Sequence, residues 1–479
     1  MNASAEKPTA GAASELERLF ALQRAAFARE RHPEYRVRRD RLQRLLRIVT
    51  DDEAALCAAV TTDFGHRPVQ ETRLAELYIV ASGVRHALRH LRAWMRPQRV
   101  GTPIQLLPGT SRILRQPKGV AGVISPWNYP VQLALAPAIG ALAAGNRVLL
   151  KPSELTPATS ELLRQRVARL FGEDEFAVVT GDADVGAAFA RLPFDHLFFT
   201  GSTAVGRRIA LAAAENLTPV TLELGGKSPA FLDADADLTL IAPRLAVGKL
   251  LNAGQTCIAP DYALVPDAAL EPFIAAMRDA VTRLYPSFID NPDYASIINA
   301  RHYARLTALL DDARAQGARI VPLGPPNEFP QSASRKLEPA LVVGATPEMK
   351  IMQEEIFGPL LPVETYASFD DAIARLNARA HPLAFYYFGG STARRERVLR
   401  DTLAGGVTVN DTLWHFAHEG LPFGGVGASG IGAYHGERSF LAFSHEKAVF
   451  RQSRIAAARL LYPPYGRTFG KVLALLKRL

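Results

Sequence analysis

Cys257, within the segment NAGQTCIAPD, is the side chain of this sequence best suited to covalent chemistry. A thiol reacts as the thiolate and is the strongest side-chain nucleophile available near neutral pH. Gly254 and Pro260 flank the cysteine, so it is predicted to lie at the boundary of an element, in a partly open site. The alternative is an inert cysteine in the core, the commoner case for this residue type. Cys57, within AALCAAV, fits that alternative and is predicted to lie in a helix core.

Two polar side chains at predicted strand ends are candidates to assist such a nucleophile. Glu223, in VTLELGGKSP, leaves a strand into a Gly-Gly turn, where a carboxylate can lie beside a cavity and act as a general base. Asn128, in ISPWNYP, follows another strand, and its amide can donate to an oxyanion. A solvated strand end and a simple turn are the alternatives that these two patterns leave open.

The segment FTGSTAVG, residues 199–206, has the pattern of a strand, a tight turn and a helix start. Free N–H groups at the start of a helix can bind a phosphate. The segment is not GxGxxG, because Thr203 stands where the second glycine of that pattern would be. By itself it does not distinguish a phosphate site from an ordinary turn.

Alternating strands and helices are predicted to position these residues. VAGVIS, RVLLK, FAVVT and HLFFT are short apolar runs separated by helical segments, which predicts an α/β fold with a parallel, doubly wound sheet. Ligands of such sheets bind beyond the carboxyl ends of the strands. Asn128, the pair Lys151 and Glu154, and the pair Gly201 and Ser202 all follow these strands directly.

The remainder of the chain divides into further regions. Residues 15–96 are predicted to be mostly helical. A second α/β unit begins near Glu223, and its predicted strands are SPAFL, YALVP, ARIVPLG and LEPALVVG. A third, glycine-rich region begins near Gly405 and ends in a basic tail, RLLYPPYGRTFGKVLALLKRL. The short amphipathic helix of that tail suits a membrane surface or a partner subunit, and its shortness favours the subunit.

Composition excludes several classes of protein. Of the 479 residues, 48% are hydrophobic and 22% are charged, a composition that excludes a disordered chain. The sequence also lacks the run of 18 apolar residues that a membrane span requires. Two cysteines cannot form a disulfide framework, and no secretion signal is recognised, so a cytoplasmic location is expected. The net charge of +9 is mostly scattered, and its densest patch, residues 36–47, is interpreted as a solvated helix face, so no nucleic acid is expected. His415 and His418 lack companion ligands, so no metal is expected.

Taken together, the motifs resemble the aldehyde dehydrogenase superfamily from about residue 15 to the end. The matching segments, in the family's order, are PWNYP, KPSE, FTGST, ELGGKSP, GQTC, EEIFGP and PFGGVGASG. GQTCIAPDY, VTVND and GVGASGIGAYHG are similar to the class 3 branch, and SPWNYP and YPPYG to its bacterial coniferyl aldehyde dehydrogenases. The resemblance implies a dinucleotide-binding domain (residues 1–97 and 124–222) and a catalytic domain (223–405). It also implies an oligomerisation or bridging region (98–123 and 406–479) that supplies a strand to a homodimer partner.

The same resemblance implies NAD(P)-dependent oxidation of an aldehyde to the carboxylic acid. Cys257 would attack the aldehyde carbon, Asn128 and the backbone N–H of Cys257 would hold the oxyanion, and Glu223 would activate the water that hydrolyses the thioester. The residues implied to contact the cofactor, NAD or NADP, are Trp127, Lys151, Glu154, Gly201, Ser202, Gly206, Glu355 and Phe357. The residues expected to line the substrate pocket are Tyr129, Trp414, His415 and Phe416.

The aromatic pocket residues favour an aromatic substrate such as coniferyl aldehyde, or a medium- or long-chain aliphatic aldehyde. Two other functions remain open at this stage. A coenzyme A-acylating relative would pass the thioester to a thiol, although such branches tend to lack a base at the position of Glu223. An inactive structural relative would not be expected to retain Cys257, Glu223 and Asn128 together.

Overall fold

Within residues 10–325, 328 and 333–478, which the computed structural model describes, the strands form three sheets. The strands in chain order are β1 (Gln98–Val100), β2 (Thr110–Pro117), β3 (Val120–Ile124), β4 (Arg147–Lys151), β5 (Phe176–Val178), β6 (His196–Thr200), β7 (Val220–Glu223), β8 (Pro229–Leu232), β9 (Tyr262–Pro266), β10 (Arg319–Pro322), β11 (Ala340–Val343), β12 (Leu360–Tyr366), β13 (Ala384–Phe388), β14 (Gly406–Val409), β15 (Gly430–Ile431) and β16 (Ser444–Arg451).

Helices cover the sheets and make up most of the N-terminal region. In chain order they are α1 (Ala10–Arg29), α2 (Tyr35–Thr50), α3 (Glu53–Phe64), α4 (Val69–Thr72), α5 (Ile79–Trp94), α6 (Gln132–Ala144), α7 (Pro157–Leu170), α8 (Ala183–Ala190), α9 (Thr203–Ala214), α10 (Leu238–Leu250), α11 (Leu270–Leu284), α12 (Ala300–Ala315), α13 (Lys350–Gln353), α14 (Phe369–Asn377), α15 (Thr392–Asp401), α16 (Gly436–Ala442) and α17 (Arg467–Leu476).

The first sheet has the order β15-β7-β6-β3-β4-β5, and its strands are parallel except for β15. Every residue of β3, β4, β5 and β6 is buried, because helices cover both faces. That is why these strands are continuous apolar runs without polar alternation. Between β3 and β4, α6 is buried along almost its whole length and ends at Gly145, whose φ of 96° closes the helix. The predicted doubly wound parallel sheet is confirmed.

The second sheet has the order β10-β11-β12-β9-β8-β13-β14 and is parallel except for β10 against β11. The third sheet is antiparallel, with the order β1-β2-β16, and it joins a segment before β3 to the C-terminal part of the chain. Two of the expected domain boundaries do not coincide with the edges of the sheets. The boundary between residues 123 and 124 falls inside β3, a strand of the first sheet. The boundary after residue 405 separates β14 from the rest of the second sheet, to which it belongs.

The carboxyl ends of β3, β6 and β7 lie side by side and carry the polar residues that the sequence singles out. Thr200 and Glu223 are partners in the β6–β7 register, Gly201 and Ser202 follow β6, and Asn128 follows β3. The Ser202 side chain accepts a hydrogen bond from the Val205 N–H and so begins α9. No helix in the described ranges is long and apolar enough to cross a membrane.

Candidate active site

A cavity of about 440 Å3 opens at the carboxyl ends of β3, β6 and β7. It brings together Cys257, Glu223 and Asn128, which are widely separated along the chain. Cys57, in contrast, is buried in α3, as predicted. The nucleophile candidate therefore faces open space with a carboxylate and an amide beside it, which is the arrangement that acyl chemistry at a sulfur atom requires.

A left-handed turn delivers Cys257 to the cavity. Asn252, Ala253 and Gly254 have φ values of 53°, 52° and 76°, a conformation that non-glycine residues adopt only when their surroundings hold them in it. A Cβ on Gly254 would collide with the backbone carbonyl of Gly358, so glycine is required there. Gln255 holds the turn from inside, because its Nε2 donates to the Asn252 carbonyl (2.9 Å) and its Oε1 accepts the Ile298 N–H (2.9 Å).

Asn128 is fixed to this turn by hydrogen bonds on both sides. Its Nδ2 donates to the Gln255 carbonyl (3.1 Å), and its own backbone carbonyl accepts from Asn252 Nδ2 (3.0 Å). The same carbonyl accepts from Arg67 Nη1 (3.1 Å), and Arg67 forms a fully buried ion pair with Glu76 (2.8 Å). An amide NH2 has two hydrogens. One is used on Gln255, which leaves the other for a ligand in the cavity.

Glu223 has the electrostatic signature of a functional carboxyl group. It is 2% exposed, and neither of its oxygens has a hydrogen-bond partner among the described residues. Burial raises the pKa of Glu223 well above its usual value, because removal from water disfavours the charged form. A buried carboxyl group that faces a cavity without a partner stabilises no local structure, and such groups are candidates for proton transfer.

The Cys257 thiol is also held in its neutral form. Burial, then the negative charges of Glu355 and Glu223, raise the pKa of Cys257 above its usual value, and the backbone N–H groups of Cys257 and Ile258 partly oppose them. Thiolate formation therefore becomes easier when a neighbouring carboxylate takes up the proton, since the repulsion between the two negative charges is then removed.

Glu355 and Phe357 form another part of the cavity wall. Burial and the charge of Asp261 raise the pKa of Glu355 to about 8. Phe357 has a φ of 51°, and its ring meets the edge of Trp127 at a centroid distance of 5.4 Å. These three sequence-predicted residues, Trp127, Glu355 and Phe357, all line the cavity.

The remaining predicted cofactor residues divide into two groups. Gly201 and Ser202 line the cavity at the start of α9. Gly206 lies one turn further along α9, where its backbone packs against Leu224 outside the cavity lining. Lys151 and Glu154 form an ion pair (3.0 Å) at the end of β4, also outside the lining.

Among the four predicted pocket residues, Phe416 alone lines the cavity. The Tyr129 hydroxyl hydrogen-bonds to Thr256 Oγ1 (2.7 Å) in the interior, and His415 Nδ1 is 2.8 Å from Thr408 Oγ1. Trp414 is 61% exposed and points away. The lining that the sequence reasoning missed includes Leu133, Thr200, His302, Arg305, Phe423 and Tyr434.

Two of these six side chains lie in segments that the sequence analysis had singled out. Tyr434 lies in GVGASGIGAYHG, and Thr200 ends the predicted strand HLFFT. The Thr200 hydroxyl is buried without a hydrogen-bond partner in the described part of the chain. His302 and Arg305 lie on α12 outside any motif. In the ranges that the structure describes, no cluster of three or more His, Cys, Asp or Glu side chains could hold a metal ion.

Comparison with known proteins yields a family. A sequence profile of the aldehyde dehydrogenase family matches residues 3–449. The coniferyl aldehyde dehydrogenase of Pseudomonas sp. (strain HR199) is 47% identical over 443 residues, which are 92% of this chain and 92% of that protein. The substrate-bound structure of Staphylococcus aureus AldH is 38% identical, with a TM-score of 0.91, over 96% of this chain and 99% of that one. The aldehyde dehydrogenase of Mycobacterium tuberculosis complexed with NAD+ is 28% identical, with a TM-score of 0.82, over 91% and 90% of the two chains.

Proposed function

The chain belongs to the aldehyde dehydrogenase family, whose members oxidise aldehydes with NAD(P), and we propose that Cys257, Glu223 and Asn128 are its catalytic residues. The observation that carries this proposal is the buried, unpartnered carboxyl group of Glu223 in the cavity that also contains Cys257. A carboxyl group in that position has no structural role to fulfil, and it can exchange protons with the thiol and with water.

The first step is the attack of the Cys257 sulfur on the aldehyde carbon. The thiol gives its proton to the Glu223 carboxylate, which removes the repulsion that otherwise disfavours the thiolate. The new C–S bond converts the carbonyl oxygen into an oxyanion. The free N–H of the Asn128 amide and the backbone N–H of Cys257 donate to that oxygen, and their positions are fixed in advance by the turn at Asn252 to Gly254.

The cavity fits a dinucleotide cofactor at the start of α9. The unpartnered Thr200 hydroxyl and the N–H groups beside Gly201 and Ser202 offer donors to a diphosphate. Glu355 and Phe357 would hold the nicotinamide end, and Lys151 would hold the adenosine end with Glu154. When bound, NAD or NADP supplies the hydride acceptor. The chain's part is to hold the oxyanion of the Cys257 adduct, whose collapse to a thioester releases the hydride.

Glu223 completes the reaction by activating water. Its carboxylate accepts a proton from a water molecule, which attacks the thioester carbon and releases the carboxylic acid and the Cys257 thiolate. This role favours hydrolysis over transfer of the acyl group to coenzyme A, since a transferring relative needs no base for water. It also argues against an inactive relative, because a buried carboxyl group without a partner is costly to retain.

We propose an aromatic aldehyde, coniferyl aldehyde in the first place, as the substrate, and a medium- or long-chain aldehyde as the alternative. Leu133, Phe416, Phe423 and Tyr434 give the cavity an apolar and aromatic lining, and a relative of 47% identity is a coniferyl aldehyde dehydrogenase.

In an assay of coniferyl aldehyde, benzaldehyde, hexanal and acetaldehyde with NAD and with NADP, we expect kcat/KM to be highest for the aromatic substrates. Added coenzyme A is expected to leave the acid as the product. Fastest turnover of acetaldehyde would contradict the substrate proposal, and an acyl-coenzyme A product would contradict the hydrolytic one.

Asn128→Ala is expected to lower kcat by about 10²- to 10³-fold, the usual effect of removing one oxyanion donor. KM is expected to change less, because the donor acts on charge that develops after binding. Tyr129→Phe is the matched control, since it removes a hydroxyl that bonds to Thr256 outside the cavity. Steady-state kinetics with a melting curve for each variant measure the effect. Equal losses in the two variants would indicate a damaged turn and not a lost donor.

We further propose a cytoplasmic homodimer with a dinucleotide-binding domain, a catalytic domain and a bridging region. The outer edges of β14, β1 and β16 have no strand partner in the described part of the chain, and unpaired edges are available for pairing with a second copy.

A further inference from the structure

We propose that Arg67, Glu71 and Glu76 are positioning residues that hold the two oxyanion donors of the active site in place from behind. The three side chains, called the buried charge cluster below, lie on a segment between α3 and α5 that no sequence motif covers. None of them belongs to the cavity lining, so they can act only through other residues. Their roles rest on the proposed function, in which the Asn128 amide and the backbone N–H of Cys257 hold the oxyanion.

Arg67 and Glu71 close a ring of polar contacts that includes both sides of the donor site. Arg67 Nη1 donates to the Asn128 backbone carbonyl (3.1 Å), which also accepts from Asn252 Nδ2 (3.0 Å). The Asn252 N–H in turn donates to Glu71 Oε2 (3.0 Å), and that oxygen lies 4.0 Å from Arg67 Nε. Asn128 supplies one donor, and Asn252 begins the left-handed turn that leads to the other. The ring therefore sets the position of each donor relative to its neighbour.

Glu76 anchors the same guanidinium group to the start of α6. Its Oε1 accepts from Arg67 Nη1 (2.8 Å), and its Oε2 accepts the backbone N–H groups of Val131 (2.7 Å) and Gln132 (3.1 Å). Glu76 lies in a π-helical turn, Arg73–Tyr78, a rare geometry that occurs frequently at functional sites. The guanidinium group is thus fixed at one end by a helix start and directed at the loop before it.

Stability alone does not account for the buried charge cluster. The side chains of Arg67 and Glu76 are 0% exposed, and burial raises the pKa of Glu76 above its usual value and that of Glu71 to about 7. A buried ion pair is often no more stabilising than apolar side chains of similar volume. Apolar side chains, however, could make none of the hydrogen bonds that hold Asn128 and the turn. The charges add a fixed geometry, which matters for catalysis because donors must be aimed in advance at the developing charge.

A double-mutant cycle with Asn128 distinguishes positioning from a general loss of stability. Arg67→Met/Glu76→Gln removes the donor to the Asn128 carbonyl without leaving Glu76 buried and unpaired as a charge. It is expected to lower kcat about tenfold, within the range by which contacting residues couple, and to leave KM within threefold of the wild type. In an Asn128→Ala background the same change is expected to lower kcat less than twofold, because the donor that it positions is already absent.

The matched control makes the same two substitutions in another buried ion pair. Arg41→Met/Glu175→Gln breaks a pair (3.0 Å) whose arginine is 1% exposed and whose members both lie outside the cavity lining. Its kcat is expected to stay within twofold of the parent in both backgrounds, whatever the change in melting temperature. Steady-state kinetics and a melting curve for each full-length variant measure these effects.

Glu71 offers a second test that leaves the pair of Arg67 and Glu76 intact. Glu71→Leu removes the acceptor of the Asn252 N–H and is expected to lower kcat about tenfold. Glu71→Gln keeps an acceptor oxygen at that place and is expected to stay within threefold of the wild type. A purely structural role would make kcat follow the melting temperature in the two variants and not the presence of the acceptor.

The positioning role is overturned by itself if Asn128→Ala is impaired as expected while the Arg67 variant has the kcat of the wild type. It is also overturned if the Arg67 variant loses activity equally in the two backgrounds, if the Arg41 control loses as much, or if the two Glu71 variants are equally active. Full activity of Asn128→Ala would instead contradict the oxyanion role in the proposed function, and the positioning role would fail with it.

Discussion

Cys257→Ala is expected to abolish aldehyde oxidation, with kcat lowered by about 10⁴- to 10⁶-fold, the range seen when a catalytic nucleophile is removed. Without the sulfur no covalent adduct forms, and neither the oxyanion donors nor Glu223 can replace it. Binding of NAD or NADP is expected to persist, because the start of α9 and the Glu355 wall are unchanged. Formation of NADH with an aromatic aldehyde measures the loss, and a titration of tryptophan fluorescence with the cofactor checks that the site is intact, since Trp127 lines the cavity.

Cys57→Ala is the matched control for this loss, since it makes the same substitution in a buried helix. Cys57 is 3% exposed within α3, so its removal is expected to lower the free energy of unfolding by about 1–2 kcal/mol. Its kcat is expected to stay within twofold of the wild type. The assignment of the nucleophile would be wrong if Cys257→Ala turned over at a comparable rate. Alkylation by iodoacetamide offers a second check: because the pKa of the Cys257 thiol is raised, its labelling is expected to accelerate with rising pH.

Three of the predicted residues that line the cavity lie at strand ends. Glu223 is the last residue of β7, Gly201 follows β6 and Asn128 follows β3, and the carboxyl ends of neighbouring parallel strands meet at one edge of a sheet. Local periodicity was therefore sufficient to bring them together. Cys257 follows no such strand, and its placement in the cavity depends on the left-handed turn at Asn252 to Gly254, which was not predicted. The flanking Gly254 and Pro260 indicated an element boundary and a partly open site, and the family resemblance added the role of nucleophile.

The predicted pocket residues that lie outside the cavity lining are ones whose side-chain direction depends on distant contacts. Tyr129 is adjacent to Asn128, yet its hydroxyl turns inward to Thr256. Trp414 follows Leu413, whose φ of 63° redirects the loop and leaves the indole in solvent. Nothing local predicts such a change of direction. Likewise, the buried pair of Arg67 and Glu76 that supports Asn128 joins segments that no motif connects.

Glu223→Gln is expected to block the second half of the reaction at every pH and to spare the first turnover only at alkaline pH. The amide cannot take a proton from water, so hydrolysis of the thioester is expected to slow by about 10²- to 10⁴-fold, the range for loss of a general base. Rapid mixing at alkaline pH with excess aldehyde and cofactor is then expected to produce a burst of about one NADH per active site, followed by slow turnover. At neutral pH the burst is expected to be slower, because Glu223 also takes the Cys257 proton in the first step and burial raises the pKa of that thiol.

The pH profile provides the electrostatic check on this role. A base works only when it is unprotonated, and burial raises the pKa of Glu223, so wild-type kcat is expected to rise with pH through that raised value. The Glu223→Gln variant is expected to lack this rise, whereas Glu215→Gln, on the exposed end of α9, is expected to keep it.

A raised pKa also means that the folded protein becomes less stable as pH rises above the unfolded value of about 4.5, because the unfolded chain ionises first. Melting at pH 8 is therefore expected to favour the glutamine variant over the wild type. If Glu223→Gln released the carboxylic acid at the wild-type rate, another group would have to activate the water. Glu355, with its pKa raised to about 8, would then be the next carboxylate to test.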